Sequence, residues 1–181
     1  MSAAISDPPG PQTIRLYVGS DATRLAAKIW PCYDTVFADF ADCDTWRSDL
    51  FERHARRDGY RAAVATEDDE VVGFNWGYVG QRGQYWTDLV WDALQPDLAR
   101  TWVGGHFELV ELAFLPAHRR RGLGKTLHDR LLDGIQRRCL LGTTDHVGDP
   151  AVQLYLRSGW KKLGVLRAGV QLMGHEDPSV A

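Results

Sequence analysis

The residues with the plainest chemistry lie in Leu112-Ala-Phe-Leu-Pro116-Ala-His-Arg119-Arg-Arg-Gly122-Leu-Gly124-Lys125. A largely apolar run stops at Pro116, a short basic turn follows, and two glycines open a segment with leucines at 123, 127 and 131. The first turn of a helix carries backbone N–H groups without internal acceptors, and the helix dipole adds partial positive charge there. Glycine lets a ligand approach that backbone closely. Arg119, Arg120, Arg121 and Lys125 add cationic side chains. The pattern predicts a seat for a pyrophosphate at the mouth of a helix. The plainer alternative is a solvated basic run on a strand-to-helix turn. The spacing is neither Gly-x-x-x-x-Gly-Lys-Ser/Thr nor Gly-x-Gly-x-x-Gly, which disfavours a nucleoside-triphosphate loop and a dinucleotide site.

Such a turn needs a strand before it and a helix after it. Phe107 to Leu115 is a near-continuous apolar run holding two acids, and reads as a central strand buried on both faces. Leu123, Leu127, Leu131 and Ile135 repeat every four residues, so a helix is expected from Gly122 to Arg138. Upstream, Thr13 to Val18 reads as a strand, and Leu25, Ala26 and Ile29 share a helical face that Pro31 should end. A second helix, with the stripe Trp46, Leu50 and His54, should run from about residue 44 to Gly59. Arg61 to Thr66 and Val71 to Val79 form a hairpin around an acidic turn. Gln81 to Gly105 shows two helical patches interrupted at Pro96. After the cradle come a short strand from Cys139, a helix capped by Asp149 and Pro150, and two final strands up to Met173.

The 181 residues, 44% of them hydrophobic, suffice for one domain. We expect it to span 13–174, with residues 81–105 an inserted lid or pocket wall. The Pro/Gly-rich residues 1–12 are expected to form a disordered N-terminal tail rather than a signal peptide, and residues 175–181 a C-terminal tail. A net charge of −3 argues against a nucleic-acid partner, and no apolar run is long enough for a membrane span. Cys32, Cys43 and Cys139 form no Cys-x-x-Cys and read as buried thiols in a reducing cytoplasm. The histidines show no ligand spacing, so no metal is expected. His106, His118 and His146 read as solvent-facing loop residues.

On these residues the sequence resembles the GNAT acetyltransferase superfamily. Its signature Arg/Gln-x-x-Gly-x-Gly/Ala is matched by Arg119-Arg-Arg-Gly122-Leu-Gly124. Its later motif, Asn-x-x-Ala-x-x-Leu-Tyr-x-x-x-Gly-Phe, is approached by Ala151-Val-Gln-Leu154-Tyr155-Leu-Arg-Ser-Gly159-Trp160. Gly148 stands where the family has Asn, and Trp160 replaces Phe; Asp149 could substitute for the missing side chain. The resemblance covers residues 60 to 173 and implies an α+β fold. Its central sheet is mixed but mostly antiparallel, flanked by helices and splayed at the cofactor-binding strand. It implies acetyl-CoA as cofactor, with the pyrophosphate on the backbone of Arg119 to Lys125, including Leu123, and Thr126 next on the helix. The pantetheine arm would pair with Leu112, Ala113 and Phe114, as an added strand.

The implied reaction is attack of a neutral amine on a thioester, in which a base must take a proton. Glu108 and Glu111 are the base candidates. Being three apart, they point to opposite faces of an ideal strand, so only one can face the cleft unless a bulge intervenes. Glu108 sits at the family's usual position relative to Gly122. Tyr155 falls where the family places the phenol that protonates the leaving thiolate. The acceptor, a small-molecule or peptide amine, is expected among Trp30, Tyr33, Trp76, Tyr85 and Trp86. A homodimer is open. A rival reading on the same fold is a non-catalytic acyl-CoA-binding or partner-binding module.

Overall fold

The computed structural model describes residues 12–176. The tail expected at 1–12 therefore lies, apart from Gln12, outside the described residues. Strands β1 (Thr13–Val18), β2 (Arg61–Glu67), β3 (Glu70–Gly80), β4 (His106–Phe114), β5 (Cys139–Thr144), β6 (Lys161–Arg167) and β7 (Val170–His175) form one sheet in the order β1-β2-β3-β4-β5-β7-β6. Every neighbouring pair is antiparallel except β4 and β5, which are parallel. β7 runs to His175, and Glu176 accepts from Arg138 and Lys161, so packed structure reaches into the tail expected from residue 175.

Three apolar clusters position the helices. α1 (Ala26–Phe37) and the run α2 (Cys43–Trp46), a π-helical stretch (Arg47–Phe51) and α3 (Glu52–Ala55) cover one face of β2, β3 and β4 through Ile29, Tyr33, Trp46, Phe51, Phe74 and Trp76. α6 (Leu123–Leu132) and α7 (Pro150–Arg157) cover the opposite face through Leu127, Leu131 and Tyr155. α4 (Tyr85–Ala93) and α5 (Pro96–Trp102) pack with Leu140 of β5 and Leu172 of β7, on the face that α1 covers farther along the sheet. The segment 81–105 thus contributes its own part of the core, with Val90 and Trp102 buried.

Several boundaries differ from the sequence reading. α1 passes through Pro31 instead of ending there. Proline removes one helical hydrogen bond, but Ile29, Cys32 and Tyr33 bury against the sheet on both sides of it. α1 stops at Ala38, which takes a left-handed conformation and donates its N–H to Asp34 O. α6 stops at Leu132, short of Arg138, because Asp133 leaves helical geometry and its carbonyl accepts from Arg61. Cys43 is half-buried, unlike the buried Cys32 and Cys139. No helix among the described residues is long and apolar enough to cross a membrane.

Candidate functional site

β4 is the axis of the site. Its pairing with β5 covers only Phe107↔Cys139 and Glu108↔Leu140. Beyond these, β4 stays paired to β3 as far as Phe114, while β5 pairs with β7. The sheet therefore opens into a V, and the β5-facing backbone edge of Leu112, Ala113 and Phe114 lies in the opening. That is the splay expected of the cofactor-binding strand.

The two acids of β4 lie on the same face. Glu108 is opposite Tyr78 and Glu111 opposite Trp76, and residues two apart on β3 share a face. The register slips between them, because Leu109 is opposite Gly77, which leaves Val110 as an extra residue. This β-bulge cancels the alternation that would have set the two carboxylates on opposite faces. Both point to the side of α1, between its cover and that of α4 and α5.

Their surroundings differ. Glu108 is buried, and its Oε1 accepts from the Tyr78 hydroxyl at 3.0 Å, while Oε2 has no partner. Burial raises its pKa to about 7, against lowering by the Tyr78 hydrogen bond and Arg57. Glu111 is half-buried, and burial, aided by the charge of Asp39, raises it to about 8. Burial raises the Tyr78 phenol, as do its charge and hydrogen-bond interactions with Glu108. Tyr155 is buried on α7, on the other face of the sheet, and its phenol is raised by burial, then by Glu111 and Asp149. The Glu111 charge thus reaches Tyr155 as well as Tyr33 of α1.

The basic turn ends in α6 as expected. A 3-10 turn (Pro116–His118) follows β4, and Arg119, Arg120 and Arg121 are exposed. Gly122 caps α6 with φ +83°, and makes no side-chain cap to the amides of the first turn. A Cβ on Gly122 would meet nothing within 4 Å, so the mouth of α6 is open at the glycine, where the amides of a helix's first turn have no internal acceptors. Gly124 has a different reason to be glycine. A Cβ there would come 3.0 Å from the Phe114 ring, so its absence lets α6 close on β4. Thr126 is spent within the helix, its N–H and hydroxyl both donating to Gly122 O. Lys125 pairs with Asp129. Asp149 caps α7, its Oδ1 accepting from Ala151 N at 2.8 Å, which leaves Oδ2 for any further contact.

The aromatic candidates fall into two groups. Trp30, Tyr33 and Trp76 stack together, with ring centroids 6.2 Å and 6.3 Å apart, and Trp76 is wholly buried. Trp76 and Tyr33, both buried, are thus core beneath the site, and Tyr33 also donates to Asp39. Tyr85, 79% exposed, and Trp86 lie on α4 instead, and line a cleft with Gly142, Thr143 and Arg167 beside the free end of β5. Three larger clefts, along β1 and α1, between the ends of α6 and α7, and around Gly59 and Ile135, do not include Glu108, Glu111 or Tyr155.

Two histidines expected at the surface are buried. His106 accepts from Gly104 N, and burial brings its pKa down to about 4. His118 pairs through Nε2 with Glu67 Oε2 at 2.8 Å, tying the end of β2 to the basic turn. Only His146 is exposed. Sequence reasoning placed His54 only in a helical stripe, whereas its ring lies 5.2 Å from Tyr78, and it missed His128, which accepts from Trp160. The replacement of Phe by Trp at 160 was the one available signal for the second.

A model of the acetyltransferase (GNAT) family matches residues 22–160. The chain is 32% identical over 147 residues to a GCN5-like protein acetyltransferase of Mycobacterium tuberculosis, spanning 65% of this chain and 71% of that protein. Its fold is similar to the loading GNATL domain of CurA from Lyngbya majuscula, with TM-score 0.65 and 12% identity over 95% of this chain and 100% of that one. It is also similar to the PaiA N-acetyltransferase from Thermoplasma acidophilum in complex with coenzyme A, with TM-score 0.56 and 15% identity over 92% and 99% of the two chains.

Proposed function

The chain belongs to the acetyltransferase (GNAT) family, and from that premise we propose that it transfers the acetyl group of acetyl-CoA to a primary amine by direct attack in a ternary complex. The observation that carries this reading is the V between β4 and β5, with the open amides of α6 at its end and two carboxylates of raised pKa on one face.

The residues fit acetyl-CoA. The free edge of Leu112, Ala113 and Phe114 offers an amide-rich arm the strand pairing that β5 withholds. The amides of Leu123, Gly124 and Lys125, with Arg119, Arg120 and Arg121 around them, suit a diphosphate. Bound acetyl-CoA supplies the thioester carbon that the amine nitrogen attacks, a C–N bond forming as the C–S bond breaks.

Glu108 takes the proton that the ammonium must lose. Its pKa of about 7 leaves it part-ionised near neutrality, which suits a base. Glu111, nearer the open end of the V, is mostly protonated at neutral pH and offers the amine a hydrogen-bond partner; its charge draws the cation inward only as the pH approaches about 8. Tyr155 gives its proton to the departing sulfur, and its raised pKa keeps that proton in place until then. A backbone N–H on the free edge of β4 faces the negative charge that develops on the carbonyl oxygen.

The acceptor would lie between α1 and α4, with the partly buried Trp30 on one side and Tyr85 and Trp86 on the other. A small-molecule amine and a peptide amine both fit this description. Calorimetry with acetyl-CoA, followed by thiol release over a panel of polyamines, aminoglycosides, amino acids and peptides, tests the proposal. Absence of coenzyme binding would overturn it. Binding without turnover on any amine would favour the non-catalytic alternative.

A further inference from the structure

The residue that departs from the family's motif at the end of α7 builds a polar contact in an otherwise apolar layer. Trp160 is buried, and its indole N–H donates to His128 Nε2 at 2.8 Å. To accept there, His128 must be neutral, with its hydrogen on Nδ1. Asp129 Oδ1 lies 3.0 Å from that Nδ1 and holds the tautomer. Tyr155 packs against both partners, its ring 5.8 Å from that of Trp160 and 6.2 Å from that of His128. The backbone N–H of Trp160 also donates to Tyr155 O at 3.1 Å. The chain Asp129–His128–Trp160 therefore joins α6 to the end of α7 directly beside the phenol.

We propose that His128 is a positioning residue for Tyr155: fixed in one tautomer by Asp129, it accepts the Trp160 indole hydrogen and clamps α7 against α6. A phenolic donor works only when held at its mark, since a displacement of about 1 Å can cost a hundredfold in rate. The inference rests on the reading of Tyr155 as the proton donor.

Protonation would set two N–H groups against each other and open the clamp. The charged and titratable groups facing His128 are Asp129 and Lys125 on its own helix, His175 from β7 and Tyr155 from α7. Burial is the largest influence and lowers the His128 pKa from its ordinary 6.5. The clamp's contribution to stability is thus complete above pH 6.5 and falls as pH drops below it, where the unfolded chain takes the proton first.

The test compares the full chain with His128→Leu, which orphans the indole hydrogen, with His128→Gln, which can still accept it, and with the double variant His128→Leu/Trp160→Phe, which removes both polar partners. Coenzyme A binding is measured by calorimetry, kcat at pH 8 with saturating substrates, and melting temperature from pH 5 to pH 8. We expect coenzyme affinity to stay within about twofold throughout, because the amides of α6 are untouched. We expect kcat to fall about tenfold in His128→Leu and in the double variant, both of which lack the clamp, and to recover in His128→Gln. The double variant should also show a smaller drop in melting temperature below pH 6.5 than the wild type, the remainder coming from His54 and His106, whose pKa burial also lowers. A folded His128→Leu with wild-type kcat overturns the inference, as does a lowered melting temperature with unchanged kcat. Should His128→Leu fail to fold, near-wild-type kcat in His128→Gln together with a loss in the double variant supports the clamp, and a double variant with wild-type kcat overturns it. A wild type that binds no coenzyme sinks the proposed function instead, which separates the two failures.

Discussion

The hydroxyl of Tyr78 donates to Glu108 Oε1 across 3.0 Å, joining β3 to the buried acid of β4. The bond has an electrostatic sign. It favours the ionised carboxylate and so holds the Glu108 pKa down, while burial pushes it up to about 7. Burial is the larger influence, and the one hydroxyl tunes how much of the proposed base is ready at neutral pH.

The first prediction follows from that sign. With Glu108 near 7 and Glu111 near 8, kcat/KM should rise from pH 6 to about pH 8 and then level. In Tyr78→Phe the lowering hydrogen bond is gone, so the rise should move to higher pH, while activity well above pH 8 changes little. A pH–rate profile of the two proteins checks this. An unmoved or acid-shifted limb would remove Glu108 from the role of base.

Tyr155 offers a cleaner separation of binding from chemistry. Tyr155→Phe keeps the ring packing against Trp160 and His128 and removes only the proton. Positioned acids contribute about 10²–10⁴-fold, so kcat should fall by about a hundredfold while coenzyme affinity holds. Single-turnover thiol release alongside calorimetry reads both quantities.

The glycines of the cradle should fail in different ways. Gly122 has space around it but a positive φ, so Gly122→Ala should cost about 1–2 kcal/mol of stability and weaken coenzyme binding. Gly124→Val should push α6 off Phe114, since even a Cβ comes within 3.0 Å of that ring. Its loss should therefore show mainly in melting temperature. Replacing Arg119, Arg120 and Arg121 with glutamine should weaken coenzyme binding at low salt and flatten its salt dependence, since all three are exposed.

Much of the site was legible because it is local. The basic turn, the glycine at the helix mouth and the leucines of α6 follow each other in sequence, and each has a local physical reason. The bulge at Val110 was not legible. β4 is apolar on both faces, so its sequence has no alternation whose break could mark an inserted residue. Only its register against β3 reveals that Glu108 and Glu111 share a face. The same limit explains Pro31, where the burial of Ile29, Cys32 and Tyr33 outweighs a local rule. It also explains Trp76, an aromatic in the right stretch of chain that turned out to be core.

The burial of Glu111 has a cost that can be measured without any substrate. A carboxyl whose folded pKa lies above its ordinary value is more readily ionised in the unfolded chain, so raising the pH favours unfolding. For Glu111 the window runs from its ordinary 4.5 to about 8. Below that window both states are protonated, and the wild type and Glu111→Gln should melt alike. Across it the wild type should lose stability that the amide keeps, so Glu111→Gln should be the more stable protein at pH 8 and also the less active one. Asp39 adds to the rise at Glu111, so Asp39→Asn should recover part of that stability with Glu111 left in place. Melting curves of the three proteins from pH 4.5 to 8.5 decide the matter. Parallel curves would mean that the Glu111 carboxyl ionises in the folded state as freely as in water, and that the acid has no part in a site that depends on its burial.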